Sequence, residues 1–304
     1  MSKFIVTGGA GFIGSNLVAQ LHDLGHEVIV VDNFFGGKYP ERMLSTVTYR
    51  EISILDLEAL HKIFVGADGV FHLAAIPRMP VSIEHPVETS EVNIMGTLNV
   101  LIAARDQKVK KVVYSSSSSV YGNQTSLPPF SEGLKTNPIS PYGLQKFVGE
   151  EYVRIFSEIY GLAGVSLRYF NVYGPLQKAD GAYASVVVKF LEQKKQGKKL
   201  TICGDGSYMR DFTFVTDVVN ANILAMEHTE VAQGQAINIG YGGSNSVLDL
   251  AVAIGGEVEY IPERIGDIKK SEADISRAKK LLGWQPSVSL LEGVDIMKKH
   301  WQVE

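Results

Sequence analysis

A tyrosine and a lysine stand four residues apart in Ser140-Pro141-Tyr142-Gly143-Leu144-Gln145-Lys146. Pro141 suits the first turn of a helix, and on a helix this spacing puts both side chains on one face. An ammonium beside a phenol favours the phenolate, which would draw the tyrosine pKa from about 10 toward working pH and make Tyr142 a general base. Isolated pairs of this kind are usually surface contacts, so the reading depends on what surrounds them. Upstream, the serine run Ser115 to Ser119 follows the apolar segment Val112-Val113-Tyr114. One of these hydroxyls could hold a substrate hydroxyl against Tyr142, and spacing alone does not choose among them.

A second constellation lies at the start. Phe4-Ile5-Val6 runs into Thr7-Gly8-Gly9-Ala10-Gly11-Phe12-Ile13-Gly14, and Leu17, Val18 and Leu21 continue at helical spacing. Glycines let the backbone turn sharply and approach a pyrophosphate, while a helix N-terminus offers it unpaired N–H groups and partial positive charge. The next strand, Val28 to Val31, ends on Asp32. A carboxylate there accepts from the adenosine ribose hydroxyls and repels a 2′-phosphate, so NAD is favoured over NADP.

The elements that must position these groups alternate. Val28–Val31, Val70-Phe71 and Val112–Tyr114 are short β-branched or aromatic runs, and helix-like stretches Leu57–Phe64 and Val92–Ala104 lie between them. Continuous apolar strands alternating with helices predict an α/β fold, a doubly wound parallel Rossmann sheet covered on both faces. At 304 residues the chain has room for two domains, at about 150 residues each. The alternation loosens after Phe170 and returns for Thr213 to Gly240. The expected division is therefore discontinuous: 1–170 and 213–241 form the dinucleotide-binding domain, and 171–212 and 242–304 form a smaller α/β substrate domain.

Composition excludes other classes. A net charge of −4 gives no footprint for nucleic acid, and a single cysteine, Cys203, cannot close an internal disulfide. The apolar start is broken by glycines and makes a poor secretion signal. The uncharged stretch 112–131 is too rich in hydroxyls and amides to lie in lipid. A cytoplasmic protein with no membrane segment is expected. No metal-ligand cluster is apparent, and His72 reads as a packed residue at a strand end.

Together these residues resemble the extended short-chain dehydrogenase/reductase family, in particular nucleotide-sugar epimerases of the UDP-glucose 4-epimerase type. The resemblance is carried by the glycine turn, Phe71-His72-Leu73-Ala74-Ala75, Asn93 with Gly96-Thr97, Ser115-Ser116-Ser117, Tyr142 to Lys146, and Leu167 to Pro175. Gly204-Asp205-Gly206, Arg210-Asp211-Phe212 and Arg264-Ile265-Gly266-Asp267 continue it. It implies that Gly8, Gly11, Phe12, Ile13, Gly14, Asp32, Asn33, Leu73, Ala74, Ala75, Ile76, Pro77, Asn93 and Phe170 surround NAD, with Lys146 on the nicotinamide ribose. Ser53 and Ile54 stand where the family often has an Asp-Ile pair near the adenine. Ser117 aligns with the catalytic Ser/Thr beside Tyr142 and Lys146, with Ser118 and Ser119 following it toward the sugar. Asn171 and Arg210 would contact the diphosphate, and Arg264 and Asp267 the rest of the nucleotide.

The implied reaction is C4 epimerisation of a UDP-hexose through a 4-keto sugar, with NAD retained and regenerated, in nucleotide-sugar metabolism and polysaccharide biosynthesis. Related dehydratases place Asp-Glu where this chain has Ser118 and Ser119, and related decarboxylases tend to carry Glu at the second position; hydroxyls are poor substitutes for such acids and bases. A noncatalytic NAD sensor would not need Ser117, Tyr142 and Lys146 together. Ser271, where a bulky residue narrows the pocket in related epimerases, and Gln177 both resemble the subgroup preferring UDP-N-acetylglucosamine and UDP-N-acetylgalactosamine. The resemblance also implies a homodimer through a four-helix bundle of the helices around Asn93–Gln107 and Tyr142–Tyr160.

Overall fold

Six strands alternate with helices through the first half of the chain: β1 (Lys3–Thr7), β2 (Glu27–Asp32), β3 (Thr48–Glu51), β4 (Gly69–His72), β5 (Lys111–Ser117) and β6 (Ala163–Tyr169). A seventh, Gln233–Ile239, returns from the second half, and the sheet order is Gln233–Ile239, β6, β5, β4, β1, β2, β3. Every pairing is parallel. The computed structural model describes residues 1–77, 79–124, 127–179, 185–263 and 269–304.

The strands are apolar because both faces are covered. On one side α1 (Phe12–Asp23) and the helix Val215–Glu227 bury Leu17, Val18, Leu21, Val218 and Ala221 against Val6, Val30 and Phe71. On the other, α2 (Leu57–Ile63) and the helices Thr97–Asp106 and Pro141–Tyr160 bury Leu60, Val100, Leu101 and Val153 against Ile5, Val70 and Val112. Each such side chain contributes about 1.5–3 kcal/mol by leaving water, so Leu17→Ala, at a position with no exposed surface, would cost about 2–5 kcal/mol.

A third core lies beyond the sheet. Tyr173, Phe190, Leu191, Leu200, Ile202, Phe214, Leu250 and Val294 pack together, drawn from the helices Val186–Lys195, Val247–Ile254 and Leu290–Trp301, the strand Leu200–Cys203 that pairs with Val258–Ile261, and the short strand pair Val172–Tyr173 and Thr213–Phe214. This layer is the smaller C-terminal α/β part. The strand order reverses between β1 and β4, opening a crevice at their C-terminal ends. Gly8 and Ala74 meet there.

Among the described residues, no helix is long and apolar enough to cross a membrane. No group of three or more His, Cys, Asp or Glu among them could hold a metal ion.

Candidate active site

The helix Pro141–Tyr160 begins where its sequence dictates. Ser140 is the N-cap and its hydroxyl accepts from Gly143 N–H at 3.1 Å, Pro141 occupies the first turn, and Gly161 closes the far end in the left-handed region. Such a cap is worth about 1 kcal/mol. A second anchor comes from outside: buried Ser82 accepts from Tyr142 N–H at 3.0 Å. The helix start, and Tyr142 with it, is thus fixed from two directions.

The serines separate by environment. β5 is buried from Lys111 through Ser116 and emerges at Ser117. Ser115 Oγ lies 3.0 Å from the Tyr169 hydroxyl, and Ser116 Oγ donates to Glu150 Oε1, so both are spent inside the protein. Ser117 Oγ accepts from Ser119 N–H at 3.2 Å and from Ser119 Oγ at 2.9 Å. Its own proton is left for Tyr142, whose phenolate it favours. Of the three strand-end serines Ser115, Ser116 and Ser117, Ser117 alone is partly exposed.

Lys146 does not sit where the simple reading of the pair puts it. Its Nζ donates to the Ser115 carbonyl at 2.7 Å and stands 5.9 Å from the centroid of the Tyr142 ring. Desolvation governs both groups: burial pushes the Tyr142 phenol up to about 12, against the opposing hydrogen bond from Ser117. Burial likewise draws Lys146 down to about 8, against the pull of Glu150. The expected depression of the tyrosine by its lysine is therefore absent from the free site.

The crevice fits a dinucleotide. Gly8 has φ +70°, and a Cβ on it would lie 2.6 Å from Ala74 N; one on Gly14 would lie 2.2 Å from the Gly8 carbonyl oxygen. These two glycines are demanded by the protein's own backbone. A Cβ on Gly11 would meet only the Gly8 carbonyl, at 3.1 Å. Gly11 opens α1 with no side chain capping the N–H groups of Phe12 and Ile13, leaving them to an anion. Asp32 accepts from Ala10 N–H at 3.0 Å and Phe34 N–H at 2.8 Å, one to each oxygen. Burial raises its pKa while those bonds and Arg42 hold it down. Each carboxylate oxygen keeps a lone pair for a ribose hydroxyl.

A buried relay stiffens the opposite wall. Thr97 Oγ1 donates to the Asn93 carbonyl at 2.7 Å and so accepts from His72 Nε2, 2.9 Å away. His72 Nδ1 then accepts from Thr7 Oγ1 at 2.7 Å, and Thr7 Oγ1 in turn accepts from Ala74 N–H at 3.3 Å. Burial drives His72 down to about 3, so the ring is neutral. Asn93, in the π-helical turn Glu91–Gly96, accepts from Ile76 N–H at 2.8 Å and donates to Ile76 O at 3.0 Å and to Gln145 at 2.8 Å. The Leu73–Pro77 segment is thereby held in place along the crevice.

Other expected cofactor neighbours are placed less directly. Asn33 and Ser53 each use the side chain within their own turn, accepting from Phe35 N–H at 3.2 Å and Leu55 N–H at 3.2 Å. Ile54 is buried beneath Gly96 and Phe170 has no exposed surface, so their side chains belong to the core.

Beyond the sheet, Asn171, Cys203, Tyr208 and Arg210 line a cavity of about 250 Å³. Asn171 donates to Asp211 O at 3.1 Å, and buried Asp211, raised to about 6 by desolvation, accepts from Tyr241, Gly242 and Ala273 N–H. Gln177 donates to Val172 O at 3.2 Å. Ser271, buried, donates its N–H to Met209 O at 3.1 Å beside Arg210. Arg264 and Asp267 lie outside the described residues. A larger cavity of about 370 Å³, near Phe4, Lys111 and Met226, opens at the N-terminal ends of β1, β4, β5 and β6, away from this chemistry.

Sequence reasoning missed Ser82, Gln145, Glu150 and Arg168. Glu150 carried a signal, since it repeats the four-residue step from Tyr142 to Lys146.

A glycine turn at the switch point of a doubly wound sheet, facing a Ser, Tyr and Lys set, defines a dinucleotide-dependent enzyme of the extended short-chain type. The chain belongs to the NAD dependent epimerase/dehydratase family, whose model matches residues 4–240. It is similar to the crystal structure of UDP-glucose 4-epimerase with UDP-glucose from Thermotoga maritima, at 40% identity and TM-score 0.94, covering 99% of this chain and 98% of that one. It is similar also to a UDP-N-acetylglucosamine 4-epimerase from Methanobrevibacter ruminantium in complex with UDP-N-acetylmuramic acid, at 36% identity and TM-score 0.91, covering 98% of each. A UDP-N-acetyl-alpha-D-glucosaminuronate decarboxylase of Bacillus cytotoxicus is 37% identical, over 96% of this chain and 95% of that protein.

Proposed function

We propose that this protein is an NAD-dependent UDP-hexose 4-epimerase, interconverting UDP-N-acetylglucosamine with UDP-N-acetylgalactosamine and also taking UDP-glucose and UDP-galactose. The carrying observation is the approach of Ser117 to Tyr142, with Lys146 on the same helix and hydroxyls alone at Ser118 and Ser119. Dehydration or decarboxylation would call for a carboxylate at those last two positions.

When bound, NAD supplies the hydride acceptor and donor and a cationic ring whose field favours the phenolate. The chain supplies the proton chemistry. Tyr142 takes the C4 hydroxyl proton and later returns it to the C4 oxygen; Ser117 holds that oxygen, and Lys146 stabilises the phenolate. Asn171 and Arg210 hold the diphosphate, with Arg264 and Asp267 on the remaining nucleotide. The 4-keto sugar turns over while its nucleotide stays clamped, so C4 inverts without net oxidation. Gly8, Gly11 and Gly14 with Phe12 and Ile13 receive the pyrophosphate, and Asp32 the adenosine ribose.

In this reading the portions 1–170 and 213–241 carry the cofactor, and 171–212 and 242–304 the nucleotide sugar. The preference for N-acetylated sugars rests on the small Ser271 beside Arg210 and on the similarity to the Methanobrevibacter enzyme. A homodimer is supported by Met95, Leu144 and Ile159, apolar residues exposed on the two helical segments that would pair. A cytoplasmic location accords with a chain that needs no disulfide. Incubating the purified protein with each of the four UDP-hexoses and identifying the products tests the reaction. Stoichiometric consumption of NADH or NADPH, or release of carbon dioxide or a 4-keto-6-deoxy sugar, would refute it.

A further inference from the structure

Glu150 lies four residues beyond Lys146 and eight beyond Tyr142, on the same helix face. It and Arg168 of β6 are both buried at 4% exposure and pair in two places, Nε to Oε1 at 2.9 Å and an Nη to Oε2 at 2.7 Å. Ser116 Oγ donates to the same carboxylate. Ser116 stands between Ser115, whose carbonyl holds the Lys146 ammonium, and Ser117. One carboxylate therefore touches the serine strand end from below and acts through space on the lysine.

We propose that Glu150 and Arg168 are positioning residues: their buried charges set whether Lys146 carries its proton, and the Ser116 contact holds Ser115 and Ser117 in register with the tyrosine helix. This rests on the reading of Tyr142, Lys146 and Ser117 given above. Replacing a buried ion pair by apolar side chains is often neutral or favourable for stability, so stability alone gives weak reason to bury one here.

The groups facing Lys146 are few. Its own helix brings Tyr142 and Glu150; β5 brings the Tyr114 ring at 5.0 Å and the Ser115 carbonyl; β4 brings neutral His72. From β6 comes Arg168, behind Glu150. Glu150 is the one negative charge among them, and its pull on Lys146 opposes desolvation. In a region of low dielectric that pull is strong. Removing Glu150 also strips Arg168 of its partner, leaving a second positive charge near the ammonium. Removing Arg168 leaves the carboxylate unopposed as long as it stays ionised, which the hydrogen bond from Ser116 Oγ favours.

The two single variants must therefore move Lys146 in opposite directions, which loss of packing would not do. The protein as purified, carrying ¹³C-labelled lysine, is titrated by NMR, with the Lys146 Cε signal assigned by its loss in Lys146→Ala. Glu150→Gln, which keeps an acceptor for Ser116, should lower the midpoint by about one pH unit or more, and Arg168→Met should raise it. The double variant should fall between the two singles and below wild type. Shifts in the same direction, or no shift, overturn the proposal. If a single variant fails to fold, the double variant decides, since it buries no unpaired charge: an unchanged midpoint there refutes the assignment. Turnover is read separately, as the alkaline limb of kcat. Midpoints that move as expected in a protein without epimerase activity refute the proposed reaction and leave the pair standing.

Discussion

The Lys146 ammonium donates to the carbonyl of Ser115 at 2.7 Å, not to the hydroxyl of Tyr142. The lysine is thus tied to the sheet, and its field reaches the tyrosine across 5.9 Å to the ring centroid. A group held in this way stabilises a phenolate electrostatically without taking its proton. That arrangement separates what Tyr142 and Lys146 contribute, and their variants should differ accordingly.

Tyr142→Phe removes the ionisable hydroxyl and keeps the ring. Turnover should fall by about 10² or more while bound NAD is retained, since general acid–base groups typically contribute 10²–10⁴-fold. Rate measurement alongside quantification of nucleotide released on denaturation checks both halves. Near-normal turnover would show that another group moves the proton.

Gly8 and Gly11 should fail in different ways. Gly8→Ala places a side chain at φ +70° and 2.6 Å from Ala74 N, so it should destabilise the fold by about 1–3 kcal/mol or more. Gly11→Ala sits at an ordinary extended backbone conformation and meets one atom, the Gly8 carbonyl oxygen at 3.1 Å, so it should lose less stability than Gly8→Ala, yet hold NAD at least about tenfold less tightly because the methyl stands where a pyrophosphate must approach. Thermal melts and cofactor titration together distinguish them. Equal loss of stability in both variants would contradict the assignment.

His72 predicts an acid-sensitive fold. Its folded pKa, about 3, lies below the unfolded value of about 6.5, so the unfolded chain takes the proton first as pH falls. The contribution is fully present above pH about 6.5 and drains away toward pH 3, amounting to about 2 kcal/mol between pH 7 and pH 5. His72→Gln should lose that part of the slope. Urea unfolding of both proteins at the two pH values measures it; an identical slope would mean that the histidine titrates normally.

Ser271→Tyr bears on substrate choice. Filling the space beside Arg210 should depress turnover of the N-acetylated pair selectively, because an overpacking clash spares the smaller sugars. Equal effects on all four UDP-hexoses, or none, would remove Ser271 from the pocket wall.

Much of this is legible in the sequence. The strands β1, β2, β4 and β5 announce themselves because a parallel sheet buried on both faces demands continuous β-branched runs. β3 does not: Thr48-Tyr49-Arg50-Glu51 lies at the sheet edge with three of its four residues exposed, so no apolar run marks it. The short helix Met79–Glu84, which supplies Ser82 to Tyr142, is too brief to show a period. At the site, Tyr142, Lys146 and the serine run are visible as types and spacing, but the choice of Ser117 is not. What favours Ser117 is that Ser115 and Ser116 are consumed by Tyr169 and Glu150, partners 54 and 34 residues away in sequence. The proton balance escapes the sequence for the same reason, since desolvation belongs to the packed site and leaves no trace in a four-residue interval.

The lighter constraint on Gly11, where a Cβ would meet a single carbonyl oxygen, has a bearing on how such chains diverge. Gly8 and Gly14 are required for the turn to close at all, so a descendant that had abandoned its nucleotide would still be obliged to keep them. The backbone constrains Gly11 far less. A substitution there, with its two neighbours intact, would be the first mark of a chain that has kept the scaffold and given up the cofactor.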